Sequence, residues 1–243
     1  MYHSDVTIKE GAFIVSDAHY SISLRPELLE FLKEVETNKL LPTQLILMGD
    51  IFDALFGGVS FTQNVNHEII STINKISKKI EVIYLEGNHD FNLKNIFKKA
   101  KVFPLSKQPL LCTYKNKKIV LAHGDFDGGT AYTVFTFLIR NPIVLYILQI
   151  IDTVTSHAIL KKLDIHLSKK NDCKELQNFR QIVAKRLESH YDCDYFIEGH
   201  FHQNKQFVYK SFTYVNLGVF ACNQRYFIVN SSEDKELLEE RIF

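Results

Sequence analysis

Five apolar runs in this chain end in the same kind of chemistry, and that repeated ending restricts the fold more than any other feature. AFIVS stops at Asp17-x-His19, QLILM at Gly49-Asp50-x-x-Asp53, and EVIYLE at Gly87-Asn88-His89-Asp90. KIVLA stops at His123-Gly124-Asp125, and DYFIE at Gly199-His200-Phe201-His202. Short apolar runs bounded by polar clusters read as buried strands. Helical patterns separate the first three: PELLEFLKEVE places Pro26 in a first turn and Leu28, Leu29, Leu32 and Val35 at helical spacing, and NHEIISTINKISKK follows. The order β-α-β-α-β predicts a layered α/β structure. Open α/β sheets bind ligands outside the carboxyl ends of their strands, so the five endings should converge on one site.

The remaining sequence fits one domain over residues 1–243. PLLCTY and KIVLAHGD flank Lys115-Asn116-Lys117 as a hairpin, residues 130–190 read as a helical insertion, and KQFVYK, FTYVNLG and RYFIVN return to strands before a charged tail. A net charge of +1 gives no bulk reason to expect nucleic acid. Cys112, Cys173, Cys193 and Cys222 are scattered without a C-x-x-C pair, which predicts reduced structural thiols in a cytosol. MYHSDVTIKEGAF lacks the basic and apolar regions of a signal peptide, so export is not expected. VFTFLIRNPIVLYILQII is apolar except around Arg140-Asn141-Pro142; a spanning helix needs about 20 apolar residues, so two short helices are expected, able to touch a membrane surface or grip lipid.

Carboxylates, an amide and imidazoles without a thiolate suit Mn, Fe, Zn or Co in an open catalytic centre, and exclude a cysteine-rich structural zinc site. Seven candidate ligands exceed what one ion needs, while two ions sharing a carboxylate use them all. Asp53 and Asp125 read either as turn residues or as carboxylates supporting histidine ligands.

The ordered series D-x-H, G-D-x-x-D, G-N-H-D, H-G-D and G-H-x-H resembles the calcineurin-like metallophosphoesterases over nearly the whole chain. The resemblance implies a four-layer α/β/β/α sandwich with a dinuclear site of divalent ions, Mn2+ foremost. It implies that Asp17, His19 and His202 hold one ion and Asn88, His123 and His200 the other, with Asp50 bridging. His89 would contact the phosphoryl oxygen or protonate the leaving oxygen, with Asp90 as its orienting partner and Gly87 allowing a sharp turn. The implied reaction is hydrolysis of a phosphorus–oxygen bond. A scaffold that has lost its metals is the alternative from another class, although no ligand position is replaced.

The helical insertion is similar to the lid of the family's lipid A branch, which splits UDP-2,3-diacylglucosamine into UMP and 2,3-diacylglucosamine 1-phosphate. The lid resemblance implies an apolar interior for acyl chains, a lipid-linked nucleotide sugar as substrate, and peripheral attachment to the cytoplasmic face of the inner membrane. No obligate protein partner is expected. Tyr132, Ser168, Asn171 and Lys174 are candidate contacts for sugar and phosphate, and Lys169 and Lys170 for anionic lipid. That branch commonly carries Gly-Asn-Arg-Asp where this chain has Gly87-Asn88-His89-Asp90. A soluble nucleotide diphosphate or a phosphodiester is the other substrate class; neither offers much to bury in an apolar lid.

Overall fold

The computed structural model describes residues 2–21, 25–167, 169–187, 191–230 and 236–243. In chain order its strands are β1 (Tyr2–Thr7), β2 (Phe13–Val15), β3 (Gln44–Leu47), β4 (Leu55–Phe56), β5 (Glu81–Leu85), β6 (Asp90–Phe91) and β7 (Lys101–Phe103). They continue with β8 (Leu110–Tyr114), β9 (Lys117–Ala122), β10 (Tyr195–Glu198), β11 (Lys205–Tyr209), β12 (Phe212–Asn216), β13 (Arg225–Val229) and β14 (Leu238–Ile242). The helices are α1 (Glu27–Glu36), α2 (Ser60–Val65), α3 (His67–Ile76), α4 (Gly129–Ile139), α5 (Pro142–Val154), α6 (Ala158–Leu167), α7 (Phe179–Arg186) and α8 (Phe220–Asn223).

Two six-stranded sheets, ordered β14-β13-β2-β3-β5-β7 and β1-β8-β9-β10-β12-β11, carry the fold. In the first, β2, β3, β5 and β7 are parallel, as the β-α-β-α-β reading requires. Side chains alternate along these strands. Ile14, Ile46 and Ile83 enter a core shared with Leu110, Ile119, Leu121 and Ile197 of the second sheet. Their neighbours Phe13, Val15, Leu45, Leu47 and Tyr84 face the opposite way, onto Leu28, Phe31 and Leu32 of α1 and Ile69 and Ile73 of α3. On the outer face of the second sheet Val120, Phe196 and Tyr214 pack against Phe179 and Val183 of α7. Three cores between four layers make the α/β/β/α sandwich.

The hairpin around Lys115-Asn116-Lys117 forms as β8 and β9, antiparallel. Between β9 and the parallel strand β10 come α4 to α7. Helices α4 and α5 are bent by 65° at Arg140-Asn141, because Asn141 Oδ1 accepts from the Ile143 and Val144 amides (2.9 and 3.4 Å) and Pro142 starts the next helix. Among the described residues no single helix is long and apolar enough to cross a membrane.

Two expectations are corrected here. The charged tail is in part a strand: Leu238–Ile242 pairs antiparallel with β13, with Leu238 buried, Glu239 half-buried and Glu240 and Arg241 exposed. The reduced-thiol reading fails for Cys173 and Cys222, which form a disulfide with Cα atoms 5.8 Å apart. Their separation of 49 residues hides the pair from any local motif; the fold brings the segment after the lid onto α8. Cys112 and Cys193 are buried and take no part in a disulfide.

Candidate metal centre

Each of the five polar endings leaves its strand and turns into one cleft. Turning costs backbone strain: Asp17, His19, Asp50, His200 and His202 all have φ between 46° and 62°, a region that disfavours side chains. Non-glycine residues held there cost about 1–3 kcal/mol each and cluster at functional sites. The loops lock each other in place. The amides of Asp17 and His19 donate to the carbonyls of Gly49 and Asp50 (3.1 and 2.9 Å), and Gly199 N donates to His123 O (2.8 Å). Gly87 is required for closeness rather than for a sharp turn, since a Cβ there would lie 2.2 Å from Asp50 Oδ1.

Three clusters result, each with ligand atoms within 4.8 Å of one another: Asp17, His19 and His202; Asp50, His123 and His200; and His19, Asp53 and His89. Asn88 Oδ1 lies 3.4 Å from His123 Nε2 and so joins the second cluster. The imidazoles are oriented from behind. His123 Nδ1 donates to Met48 O (2.9 Å), His202 Nδ1 to Asp172 O (2.7 Å), and His19 Nδ1 to Asp53 Oδ1 (3.2 Å). A carbonyl can only accept, so the proton sits on Nδ1 and the Nε2 lone pairs of His123 and His202 are left for a cation. His19 Nε2 is buried without a hydrogen-bond partner, an orphan that a metal ion would satisfy. The donor set therefore fits divalent metal ions.

Where no cation is bound, protons balance the carboxylates instead: burial disfavours charged imidazoles, but Asp50, Asp17 and Asp53 outweigh it and raise His19, His123 and His202. Burial alone would raise Asp17, but His202 and His123 hold its carboxyl at about 2. Asp50 is likewise kept well below the usual range: burial opposes ionisation, and His123, His89 and His19 outweigh it. Burial and the neighbouring His123 push His200 down to about 4, leaving a neutral ring at neutral pH, the form a ligand needs.

His89 presents its ring to the cleft with Nδ1 on the carbonyl of Asp53 (2.9 Å). Asp90, expected to orient it, does not. Its carboxylate accepts from Asp50 N, Ile51 N, Gly87 N and Tyr84 Oη at 2.6–3.1 Å, and so holds the Asp50 turn against the Asn88 turn. The reason is orientation: Asp90 begins β6, and its side chain points into the domain. Asp53 does support a histidine ligand, His19. Asp125 does not, because its Oδ2 accepts from Tyr132 Oη of the lid (2.7 Å).

A cavity of about 360 Å³ opens from this cleft. Asp53, Asn88 and His89 line one end, and the rest is lid and apolar wall, including Phe56, Phe91, Phe135, Leu145, Leu163 and Leu167. Tyr132 borders it. Asn171 instead caps its own turn on Cys173 N (3.1 Å), and Lys174 offers its carbonyl to Gln203 Nε2 (3.1 Å); neither lines the cavity. Ser168 lies outside the described residues.

Sequence reading missed the residues that tie the site together. Asp172, whose carbonyl holds His202, is itself held by Arg25 (2.5 Å), which also donates to His19 O (3.0 Å). Gln108 links two ligand loops: its Oε1 accepts from His123 N (2.6 Å) and its Nε2 donates to Glu86 O (2.8 Å). The one available signal was Glu86, a carboxylate closing an otherwise apolar run and needing a cation.

A model of the calcineurin-like phosphoesterase family matches residues 12–204, and the chain belongs to that family. Within it, the chain is similar to a UDP-2,3-diacylglucosamine hydrolase of Pseudomonas fluorescens strain SBW25, 28% identical over 154 residues that cover 62% of this chain and 61% of the relative. A second protein of that name, from P. fluorescens strain Pf0-1, is 24% identical over 196 residues, 78% of each chain. The chain thus spans about three-fifths of the first relative's length. Among solved structures, Yfce, a phosphoesterase from E. coli, is 12% identical with a TM-score of 0.48, covering 95% of this chain and 98% of that one.

Proposed function

We propose that this chain is a phosphoester hydrolase working with two divalent cations, Mn2+ foremost, and that it splits the diphosphate of UDP-2,3-diacylglucosamine into UMP and 2,3-diacylglucosamine 1-phosphate in lipid A synthesis. The cavity carries the reading, because it starts at Asn88 and His89 and continues into an apolar lid interior. A soluble nucleotide diphosphate gains nothing from that wall, whereas each buried methylene of an acyl chain contributes about 0.8 kcal/mol. The name borne by the two relatives supports the same substrate.

Asp17, His19 and His202 would hold one cation and Asn88, His123 and His200 the other, with Asp50 between them. Divalent cations in such a site act as Lewis acids on phosphoryl oxygens and lower the pKa of bound water from 15.7 towards about 7. With Nδ1 fixed on Asp53 O, His89 turns Nε2 to the scissile group, to contact a phosphoryl oxygen or, when doubly protonated, to give its proton to the leaving oxygen.

We place the chain peripherally on the cytoplasmic face of an inner membrane; the outer face of the lid supports contact with a membrane surface, not the choice of face. Phe137, Ile143 and Val154 are 71%, 70% and 80% exposed, and Lys161, Lys162, Lys169 and Lys170 are exposed nearby in sequence. The test is UMP release from UDP-2,3-diacylglucosamine by Mn2+-loaded protein, with EDTA-treated protein as control. Metal-dependent UMP is the expected result; cleavage of a chromogenic phosphodiester without UMP would keep the metal chemistry and discard the lipid substrate.

A further inference from the structure

Arg140 stands at the break between α4 and α5, the most apolar stretch of the chain, yet its side chain is only 13% exposed. It turns inward, over the ring of Phe91 (4.9 Å), and reaches the turn that carries Asn88 and His89. Its Nη2 donates to Gly87 O (2.8 Å) and its Nη1 to Glu86 Oε2 (3.2 Å). The other oxygen of Glu86 accepts from Leu93 N (2.8 Å). From beyond the turn Asn92 Nδ2 donates to the carbonyl of Arg140 (2.8 Å). One lid residue therefore grips the Gly-Asn-His-Asp turn at both ends, from Glu86 to Asn92.

The other end of α4 is tied to a second ligand loop through Tyr132 and Asp125, two residues beyond His123. Helix α4 thus spans the loops of Asn88 and His123, which Gln108 also links from below. Stability alone does not account for the arrangement. Arg140 Nε and Asp125 Oδ1 are both buried without a partner, and Arg140 Nη2 stops 3.9 Å short of Asp125 Oδ2. Buried groups left unpaired cost about 1–3 kcal/mol each. The guanidinium sits between two carboxylates, 3.2 Å from Glu86 and 3.9 Å from Asp125.

We infer that Arg140 is a positioning residue: it couples the seating of the helical lid to the placement of Asn88 and His89, so that what fills the cavity beneath α4 and α5 is felt at the metal loop. The inference rests on the metal-dependent hydrolase reading and not on the lipid substrate. It is tested with bis(p-nitrophenyl) phosphate, too small to need the cavity, on Arg140→Met and Arg140→Lys. For Arg140→Met, kcat should fall about tenfold or more with KM little changed. One of two Mn2+ affinities, measured by calorimetric titration, should weaken about tenfold. Amide hydrogen exchange should quicken over residues 86–92 ahead of the rest of the chain. Arg140→Lys, which keeps a cation beside Glu86 and a donor for Gly87 O, should restore most of the loss.

Wild-type turnover and Mn2+ binding in Arg140→Met would overturn the inference. So would a loss that tracks uniformly faster exchange along the whole chain with no recovery in the lysine variant. Should Arg140→Met not fold, Asn92→Gly removes the tie to the Arg140 carbonyl and still accepts the left-handed backbone at that position (φ 59°): weaker Mn2+ binding supports the coupling, and unchanged Mn2+ binding refutes it. Wild-type protein that neither binds Mn2+ nor cleaves the diester would refute the hydrolase reading and this inference with it. Wild-type activity combined with an indifferent Arg140→Met refutes this inference alone.

Discussion

At the carboxyl ends of the strands, imidazoles and carboxylates are buried, held by backbone strain and hydrogen-bonded from behind; in the lid, large apolar side chains stand in solvent. Folding alone rewards neither. The metal face collects like-charged carboxylates and left-handed backbone, and the lid leaves uncovered the apolar area that drives collapse elsewhere. On the function proposed above, each region would be completed by something the chain does not supply, a cation in one and an apolar ligand or surface in the other. The two should therefore respond to different perturbations.

Asp50→Asn should have the largest effect. Asp50 Oδ2 lies 3.4 Å from His123 Nε2 while Oδ1 accepts the His89 amide (2.8 Å), so the amide variant keeps that acceptor and loses the charge. Turnover of a small phosphodiester should fall on the order of a thousandfold with an unchanged circular-dichroism spectrum. Near-wild-type turnover would show that the buried cluster is structural, and would remove the contrast with the lid.

Asp53→Ala should cost less, because it removes the carboxylate behind His19 Nδ1 and leaves Asp17, Asp50 and the four histidines of the first two clusters in place. Losses of about 10–100-fold in metal affinity or activity are usual for such supports. The carbonyl of Asp53 that orients His89 survives the change, so the loss should be recovered by raising the Mn2+ concentration. A loss that excess Mn2+ leaves untouched would move Asp53 from metal support to another role.

How much of this was legible in sequence follows from distance along the chain. A ligand loop is a strand plus its next few residues, so Asp17-x-His19 or Gly87-Asn88-His89-Asp90 can be read within one short window. The break between α4 and α5 was equally local, carried by Arg140-Asn141-Pro142. What stayed hidden joins distant segments: Arg140 to Glu86, Arg25 to Asp172, and Cys173 to Cys222. Asp90 shows a second limit. Its position in the motif was visible, but the direction of its side chain depends on β6 pairing with β4, two two-residue strands too short to announce themselves.

The cavity can be separated from the metal face by Leu163→Glu. Leu163 lines the cavity from α6 and is only half-buried, so the variant places a charge in the apolar channel without opening a core. KM for the lipid substrate should rise about tenfold or more while kinetics on a small phosphodiester stay as they were. Equal losses on both substrates would mean that the lid and the metal face act as one structure.

The smallest expected effect concerns the outer face of the lid. Ile143 and Val154, at the two ends of α5, are 70% and 80% exposed, so changing both to serine removes no internal contact of note. If that face rests in the headgroup region of a bilayer, each side chain contributes about 0.7 kcal/mol of partial burial, and the double variant should bind vesicles of mixed zwitterionic and anionic phospholipid about tenfold more weakly. Turnover of a soluble phosphodiester should not change. Sedimentation with vesicles reads the first quantity and absorbance the second. Unchanged vesicle binding would assign the exposed residues to something other than a membrane, while the cavity on the opposite side of the same helices would keep its separate support.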